Sequence, residues 1–411
     1  MSKIAVIGSG VSGLVCTYLL GETHDVTLFE ANDYLGGHTH THSIELKGQK
    51  ITVDTGFIVY NDRSYPNFIK LLEKLSCSGI PTEMSFSMRD DEADLEYNGH
   101  TLNTLFAQRR NIIRPSFIRL VRDIIRFNKV AKEIPLEDNS TLDEFLKRHN
   151  FSIEFRTQYL IPMAAAIWST GDKTVGRFPV RAFADFFRNH GLLDLKNRPQ
   201  WYVVKGGSNT YIKAMEDKLG NYQLNAKVSS IKRYEDRVCI QVNSQEHDFD
   251  EVIIATHSGD ALAMLDKPSN EESEILSNIR YSKNNAFLHT DISQLPKRSL
   301  AWASWNYLKD SRRQDHATLT YNMNILQKIE SSDQILVTLN DNDRIDPNKI
   351  IGKYEYHHPI YNHDTLSAQK RHGEISKRNR THYCGAYWHY GFHEDGVKSA
   401  LRVCEQFGLR L

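Results

Sequence analysis

Three glycines spaced for phosphate chemistry stand near the start of the chain. Gly8-Ser9-Gly10-Val11-Ser12-Gly13 follows the apolar, partly β-branched run Lys3–Ile7 and precedes a helical stretch from Leu14 to Leu20. A second β-rich run, Asp25–Phe29, comes next and ends at Glu30. In a strand–turn–helix–strand setting each glycine has a physical reason. Gly8 makes the tight turn, Gly10 lets backbone approach a pyrophosphate, and Gly13 lets helix and sheet pack closely. The helix N-terminus offers amide donors and partial positive charge to phosphate oxygens. Glu30 stands where a carboxylate accepts hydrogen bonds from an adenosine ribose, and it would repel a 2′-phosphate. The pattern predicts a dinucleotide site on Gly8, Ser9, Gly10, Val11, Ser12, Gly13, Glu30 and Ala31.

The elements that must hold such a turn are buried parallel strands, and the chain has the means to bury them. At 411 residues, a prior of about 150 per domain predicts two or three domains. Apolar residues make up 40% and charged ones 25%, as in an ordinary globular enzyme. Lys+Arg and Asp+Glu both number 51, so attraction to a polyanion is excluded as a whole-protein strategy and no nucleic-acid partner is expected. Mean hydropathy is −0.50, and no apolar run approaches the ~18 residues of a transmembrane helix. The five cysteines, 16, 77, 239, 384 and 404, are odd in number and far apart, with no Cys-x-x-Cys pair. Neither a disulfide framework nor a zinc site is indicated. The N-terminus lacks a basic region and a cleavage site, and a cytoplasmic location is expected.

Further glycines follow. Gly36-Gly37-His38 comes soon after Glu30, and a fold binding only a nicotinamide dinucleotide does not need that pair. Val53-Asp54-Thr55-Gly56-Phe57 is next; Ala226–Ile231 and Val252–Thr256 read as strands mid-chain. Tyr383-Cys384-Gly385-Ala386-Tyr387-Trp388 and Gly391–Val397 stand near the other end. In this order, over nearly the whole chain, the motifs resemble those of the flavin-containing amine oxidase and phytoene desaturase superfamily. The resemblance implies an α/β fold: a Rossmann-like FAD-binding domain of the glutathione-reductase/amine-oxidase type, interrupted by an α+β substrate-binding domain. It implies that Gly36, Gly37 and His38 line the FAD pyrophosphate, and that Thr55, Gly56 and Phe57 lead towards the isoalloxazine. Val228 then matches the adenine contact, and Ala255 and Thr256 close the cofactor domain. Gly385, Glu394, Asp395, Gly396 and Val397 match the C-terminal flavin motif. The domain pattern becomes 1–84, 201–265 and 379–411 for FAD, with a helix-rich substrate region at 85–200 and its sheet at 266–378.

Two departures bear on the chemistry. Many amine oxidases carry an acid two residues after the glycine matching Gly385, where this chain has Tyr387. Covalent flavin attachment in some relatives uses a cysteine in a different local motif; Cys384 reads as a buried thiol, so FAD is expected to be non-covalent. The phrases LGGHTHT, VDTGFIVYN and GFHEDGVKSAL further resemble a bacterial group of FAD-dependent oxidoreductases whose genes neighbour cyclopropane-fatty-acid-synthase-like methyltransferases. That resemblance implies a hydrophobic, lipid or fatty-acyl substrate, and a lipid methyltransferase as partner.

Trp168, Trp302, Trp305, Trp388 and Tyr390 could wall a substrate tunnel, which suits either an acyl chain or an amine. Ordinary core packing is the competing reading for each. His38, His40 and His42 would share one face of a strand, yet without a nearby acid or cysteine they assign no metal. Asp54 could lie near the flavin or tie down its turn, and His357-His358-Pro359 reads first as packing, with Tyr361 a further wall residue. No catalytic side chain is assigned, because flavin carries the hydride chemistry and a general base is optional. Residues 104–134 carry six arginines and two lysines among apolar residues. They read either as a solvated helix with one face in the core or as a peripheral contact with the inner membrane surface. Dehydrogenation of a lipid is the leading expectation. An amine oxidase and a flavin-binding partner without turnover remain the alternatives.

Overall fold

The computed structural model describes residues 1–135, 137–168, 172–194, 196–309, 318–340 and 343–411. Lys3–Ile7 pairs in parallel with Asp25–Phe29 on one side and Glu251–Ile254 on the other. Asn221–Gln223 and Thr381–Tyr383 add the outer strands, also parallel. Numbered in chain order, the five strands run 3-2-1-4-5 across the sheet, the order of a dinucleotide-binding sheet without its sixth strand. Ile4, Ala5, Val6, Val252, Ile253 and Ile254 are fully buried, which is why these strands read as unbroken apolar runs. Helix Val11–Leu20 is buried along its whole length against the sheet and helix His393–Gln406. An antiparallel unit, Val228–Arg233, Val238–Val242 and Gln245–Phe249, closes the far side.

The second body is a seven-stranded sheet in the order Ile350–Pro359, Tyr281–His289, Leu336–Leu339, Thr318–Asn322, Trp305–Lys309, Phe86–Asp90, Leu95–Asn98. Helices Pro115–Val130, Leu142–Arg148, Ile161–Trp168 and Val180–Asn189 pack beside it around Phe117, Phe127, Phe155 and Phe183. The region expected to be helix-rich, 85–200, also gives two strands to the sheet expected over 266–378. Phe86–Asp90 pairs in parallel with Trp305–Lys309, so both regions contribute to one sheet. No local pattern in a five-residue strand announces a partner so distant in sequence. Trp201–Val204 likewise pairs with Val59–Asn61 and Gly79–Thr82.

Candidate active site

The phosphate turn is built by packing before any ligand is considered. Gly8 has φ +97°, and its N–H donates to Phe29 O at 2.8 Å. A Cβ there would lie 3.0 Å from Ala255 O, and one on Gly13 would overlap the Gly8 carbonyl. Gly10 is different: a Cβ would meet nothing within 4 Å. Its glycine is not demanded by the protein, and the open space faces the cavity that Gly10, Val11 and Ser12 line. Gly10 is also the N-cap of helix Val11–Leu20 and has no side-chain capping bond, so the first-turn amides are available to an anion. Ser9 Oγ and O accept from Gly36 N at 3.2 and 3.0 Å, fixing the second glycine pair against the first. This arrangement fits a pyrophosphate.

At the adenosine end Glu30 is buried, and both its oxygens are already engaged. Oε2 accepts from Ser9 N (2.8 Å) and Ser9 Oγ (2.6 Å), Oε1 from Asn32 N (2.8 Å) and Asn32 Nδ2 (2.9 Å). The backbone donors hold the carboxylate, while a ribose diol can replace the two side-chain donors. Ala31 is exposed beside it. Val228 is buried near the end of that strand, where Ala226 N donates to Glu30 O at 2.8 Å.

The other end opens into a cavity of about 320 Å³. Thr55, Gly56, Phe57, Ala255, Thr256, Gly385, Trp168 and Tyr390 line it, as do Gly36 and His38. Tyr361 OH, Tyr387 OH and Trp168 Nε1 are buried with no partner among the described residues, and all three residues stand on its wall. Buried polar atoms are seldom left unsatisfied, and a heteroaromatic ring with carbonyl and ring-nitrogen acceptors gives such donors a use. Both ends of the site therefore fit FAD.

Four histidines of the wall are held towards their neutral forms. Burial pushes His38 and His257 down to about 4, and His358 and His393 down to about 3. His38 Nε2 lies 3.1 Å from His357 O, and Asn284 Nδ2 lies 3.0 Å from His358 Nδ1. Thr55 Oγ1 sits 2.9 Å from His42 Nε2 and 2.6 Å from Tyr356 OH. Asp54 does not reach the cavity. It accepts from Ser208 N and Oγ, Thr41 Oγ1 and Gln327 Nε2, and burial raises it to about 6. It ties down the turn. Cys384 is equally remote, its Sγ 3.9 Å from Cys16 Sγ in the core.

Several motif residues have other work. Glu394 accepts from Phe68 N (2.8 Å) and Asn67 Nδ2 (2.6 Å), capping helix Pro66–Lys74. Asp395 accepts from Phe392 N (3.0 Å) and Tyr390 N (3.2 Å), and burial raises it to about 7. Val397 is core, and a Cβ on Gly396 would come 2.5 Å from Val11 Cγ1, so that glycine serves helix packing. Trp388 turns away from the cavity onto His372, ring centroids 4.5 Å apart. Trp302 donates from Nε1 to Pro296 O at 2.8 Å, also outside it. Proximity in a motif does not fix which way a side chain faces. His257, Tyr281, Tyr356 and Phe392 also stand on the wall, without a signal of their own in the sequence, and so do His357 and His358, where packing is the first expectation. His393 joins them; it directly precedes Glu394 in the C-terminal motif, so its place near the flavin is legible in the sequence.

A second cavity of about 370 Å³ adjoins the first. The two share Met84, Ile167, Trp201, Trp305 and Phe392. Phe86, Tyr97, Met163 and Phe186 extend an apolar wall to a rim with Gly99, His100, Arg198 and Gln200, all exposed. Among the described lining residues the one carboxylate is Glu83, which accepts from Ser85 Oγ at 2.5 Å and lies 3.7 Å from His100 Nε2.

A Rossmann-type sheet, an open phosphate turn and a flavin-sized cavity define a class, and the comparisons agree. Residues 11–291 match the model for flavin containing amine oxidoreductases, and the chain belongs to that family. It is an FAD-dependent oxidoreductase, with FAD as its cofactor. Over its full length it is similar to the CLA-producing fatty acid isomerase from P. acnes, with TM-score 0.67 and 15% identity over 99% of this chain and 98% of that one. Putrescine oxidase bound to putrescine gives TM-score 0.69 and 16% identity over 99% and 98%. At these identities the likeness is one of fold. A tryptophan 2-monooxygenase from Allorhizobium ampelinum is 55% identical over 42 residues, 10% of this chain and only 6% of that protein. No described helix is long and apolar enough to cross a membrane.

Proposed function

We propose that this oxidoreductase dehydrogenates a long apolar substrate, an acyl chain, at the flavin end of the joined cavities. The observation that carries this reading is the second cavity: an apolar passage from the cofactor wall to a rim bearing Arg198. Bound FAD supplies the hydride acceptor. The chain supplies the rest. Ile167, Trp305 and Phe392 shut water out at the junction, and the flexible thioethers of Met84 and Met163 adapt to a bent chain. Arg198 gives a carboxylate or phosphate head a cation at the rim. Burial holds His38, His257, His358 and His393 towards their neutral forms, which suits an uncharged chain. An amine would call for a carboxylate near the flavin, and Glu83 sits at the rim with other partners. The fold is shared with a fatty acid isomerase and with an amine oxidase, so the lining, not the fold, favours the acyl reading.

The test is anaerobic reduction of the purified holoenzyme. Oleate or oleoyl phospholipid is expected to bleach the visible flavin bands, while putrescine leaves them intact. Bleaching by amines alone would replace this reading with an amine oxidase. Bands that persist with both lipids and amines would overturn it in favour of a flavin protein without this turnover.

A further inference from the structure

We infer that the face formed by Leu102–Leu105, Arg109–Ile112 and helix Pro115–Val130 docks on an anionic lipid bilayer and presents the tunnel rim to it. Six of the twelve large apolar side chains exposed among the described residues lie between Leu102 and Ile153. Leu102 is 77% exposed, Ile113 81% and Ile118 52%. The helix already buries one face through Phe117, Leu120 and Phe127, so core packing does not account for the other. On that outer side Ile118, Arg122, Ile125 and Lys129 recur at helical spacing, all exposed. Arg122 and Lys129 have no ion-pair partner among the described residues. Arg109 stitches the two short segments together, donating to Phe106 O at 3.0 Å and Asn103 O at 3.3 Å.

The pairing of isoleucine and free cation selects the occupant. A nucleic acid would use the cations and leave the isoleucines wet. A second copy of this face would set arginines against arginines. An anionic bilayer satisfies both, taking the isoleucines below its headgroups and the cations among its phosphates. The position is also functional: Gly99 and His100 on the tunnel rim stand three and two residues before Leu102. Only that link to substrate delivery rests on the acyl reading; the docking stands on exposure and charge.

The holoenzyme is sedimented with vesicles of phosphatidylcholine alone and of equal parts phosphatidylcholine and phosphatidylglycerol, at low and high salt. Binding is expected to be about tenfold or more tighter on the anionic vesicles and to weaken with salt. The double variant I113D/I118D should lose about tenfold or more on them. R122E/K129E should lose a similar factor together with most of the salt dependence. All four side chains are exposed, so flavin content and melting temperature should be retained; if one variant fails that check, the other decides. Three results would overturn the proposal: no sedimentation with anionic vesicles at low salt, binding by both variants equal to wild type, or a lipid-free dimer that I113D/I118D disperses. None of these readouts uses turnover, so a failed bleaching experiment leaves the vesicle result standing on its own.

Discussion

The His393 imidazole lies flat on the Phe57 ring, centroids 3.7 Å apart and planes 11° apart. The stack joins the two flavin-facing segments from opposite ends of the chain. His393 Nε2 is 2.5 Å from Tyr211 OH, which is 2.7 Å from Thr39 Oγ1 on the same cavity wall. Replacing His393 by Ala removes the stack and leaves the buried Tyr211 hydroxyl with one partner. The expected cost is about 2–4 kcal/mol of stability, with a clear loss of bound flavin. Tyr211→Phe should cost about 1 kcal/mol. Thermal melts and flavin-to-protein absorbance ratios check both, and a His393→Ala protein with unchanged values would remove this stack from the site's framework.

Gly10 and Gly13 separate ligand binding from folding. A methyl group on Gly10 meets no protein atom within 4 Å, whereas one on Gly13 overlaps the Gly8 carbonyl. Gly10→Ala should melt within about 0.5 kcal/mol of the wild-type apoprotein yet retain little FAD. Gly13→Ala should lose about 1–3 kcal/mol or more and lose flavin as a consequence. Melting of FAD-stripped samples, then titration with FAD, distinguishes the two; normal FAD uptake by Gly10→Ala contradicts the pyrophosphate assignment.

Acid should weaken the fold. His38, His257, His358 and His393 sit at about 3 to 4 in the folded protein against an ordinary 6.5. Below 6.5 the unfolded chain binds protons that the folded one refuses, so the stability present above 6.5 is lost as pH falls towards 4. Asp54, at about 6, and Asp395, at about 7, act in the opposite sense, because the fold favours their protonated forms. The histidines outnumber them. A melting temperature that falls between about pH 7 and about pH 5 is expected, and one that rises contradicts the neutral histidine wall.

The junction of the two cavities should discriminate by chain length. Ile167 lines both, and Ile167→Trp puts an indole across the passage. Turnover of an oleoyl substrate is expected to drop by about tenfold or more, as a misplaced substrate does. The flavin spectrum should stay unchanged. Equal loss with a short-chain acid would place the block at the flavin instead of in the tunnel.

The phosphate turn was legible because its grammar is local: Gly8 to Gly13 and Glu30 are held by strands adjacent in sequence. The substrate side was not. Met84, Trp201 and Trp305 meet only because Phe86–Asp90 pairs with Trp305–Lys309 and Trp201–Val204 with Gly79–Thr82, and no window of sequence contains either pairing. In the C-terminal motif the identities were readable and the directions were not. Tyr387 faces the cavity while Trp388 beside it faces His372. Glu394 and Asp395 spend their carboxylates on backbone amides.

The sheet order carries a consequence for biosynthesis. Lys3–Ile7 is made first, yet its second neighbour, Glu251–Ile254, and the outer strand Thr381–Tyr383 come far later. On the ribosome, the nascent chain must therefore carry its apolar first strand half-covered until residues 251–254 have been made. A polypeptide that stops before His393 lacks both the stack on Phe57 and the helix that covers Val11–Leu20, and it is expected to hold no flavin.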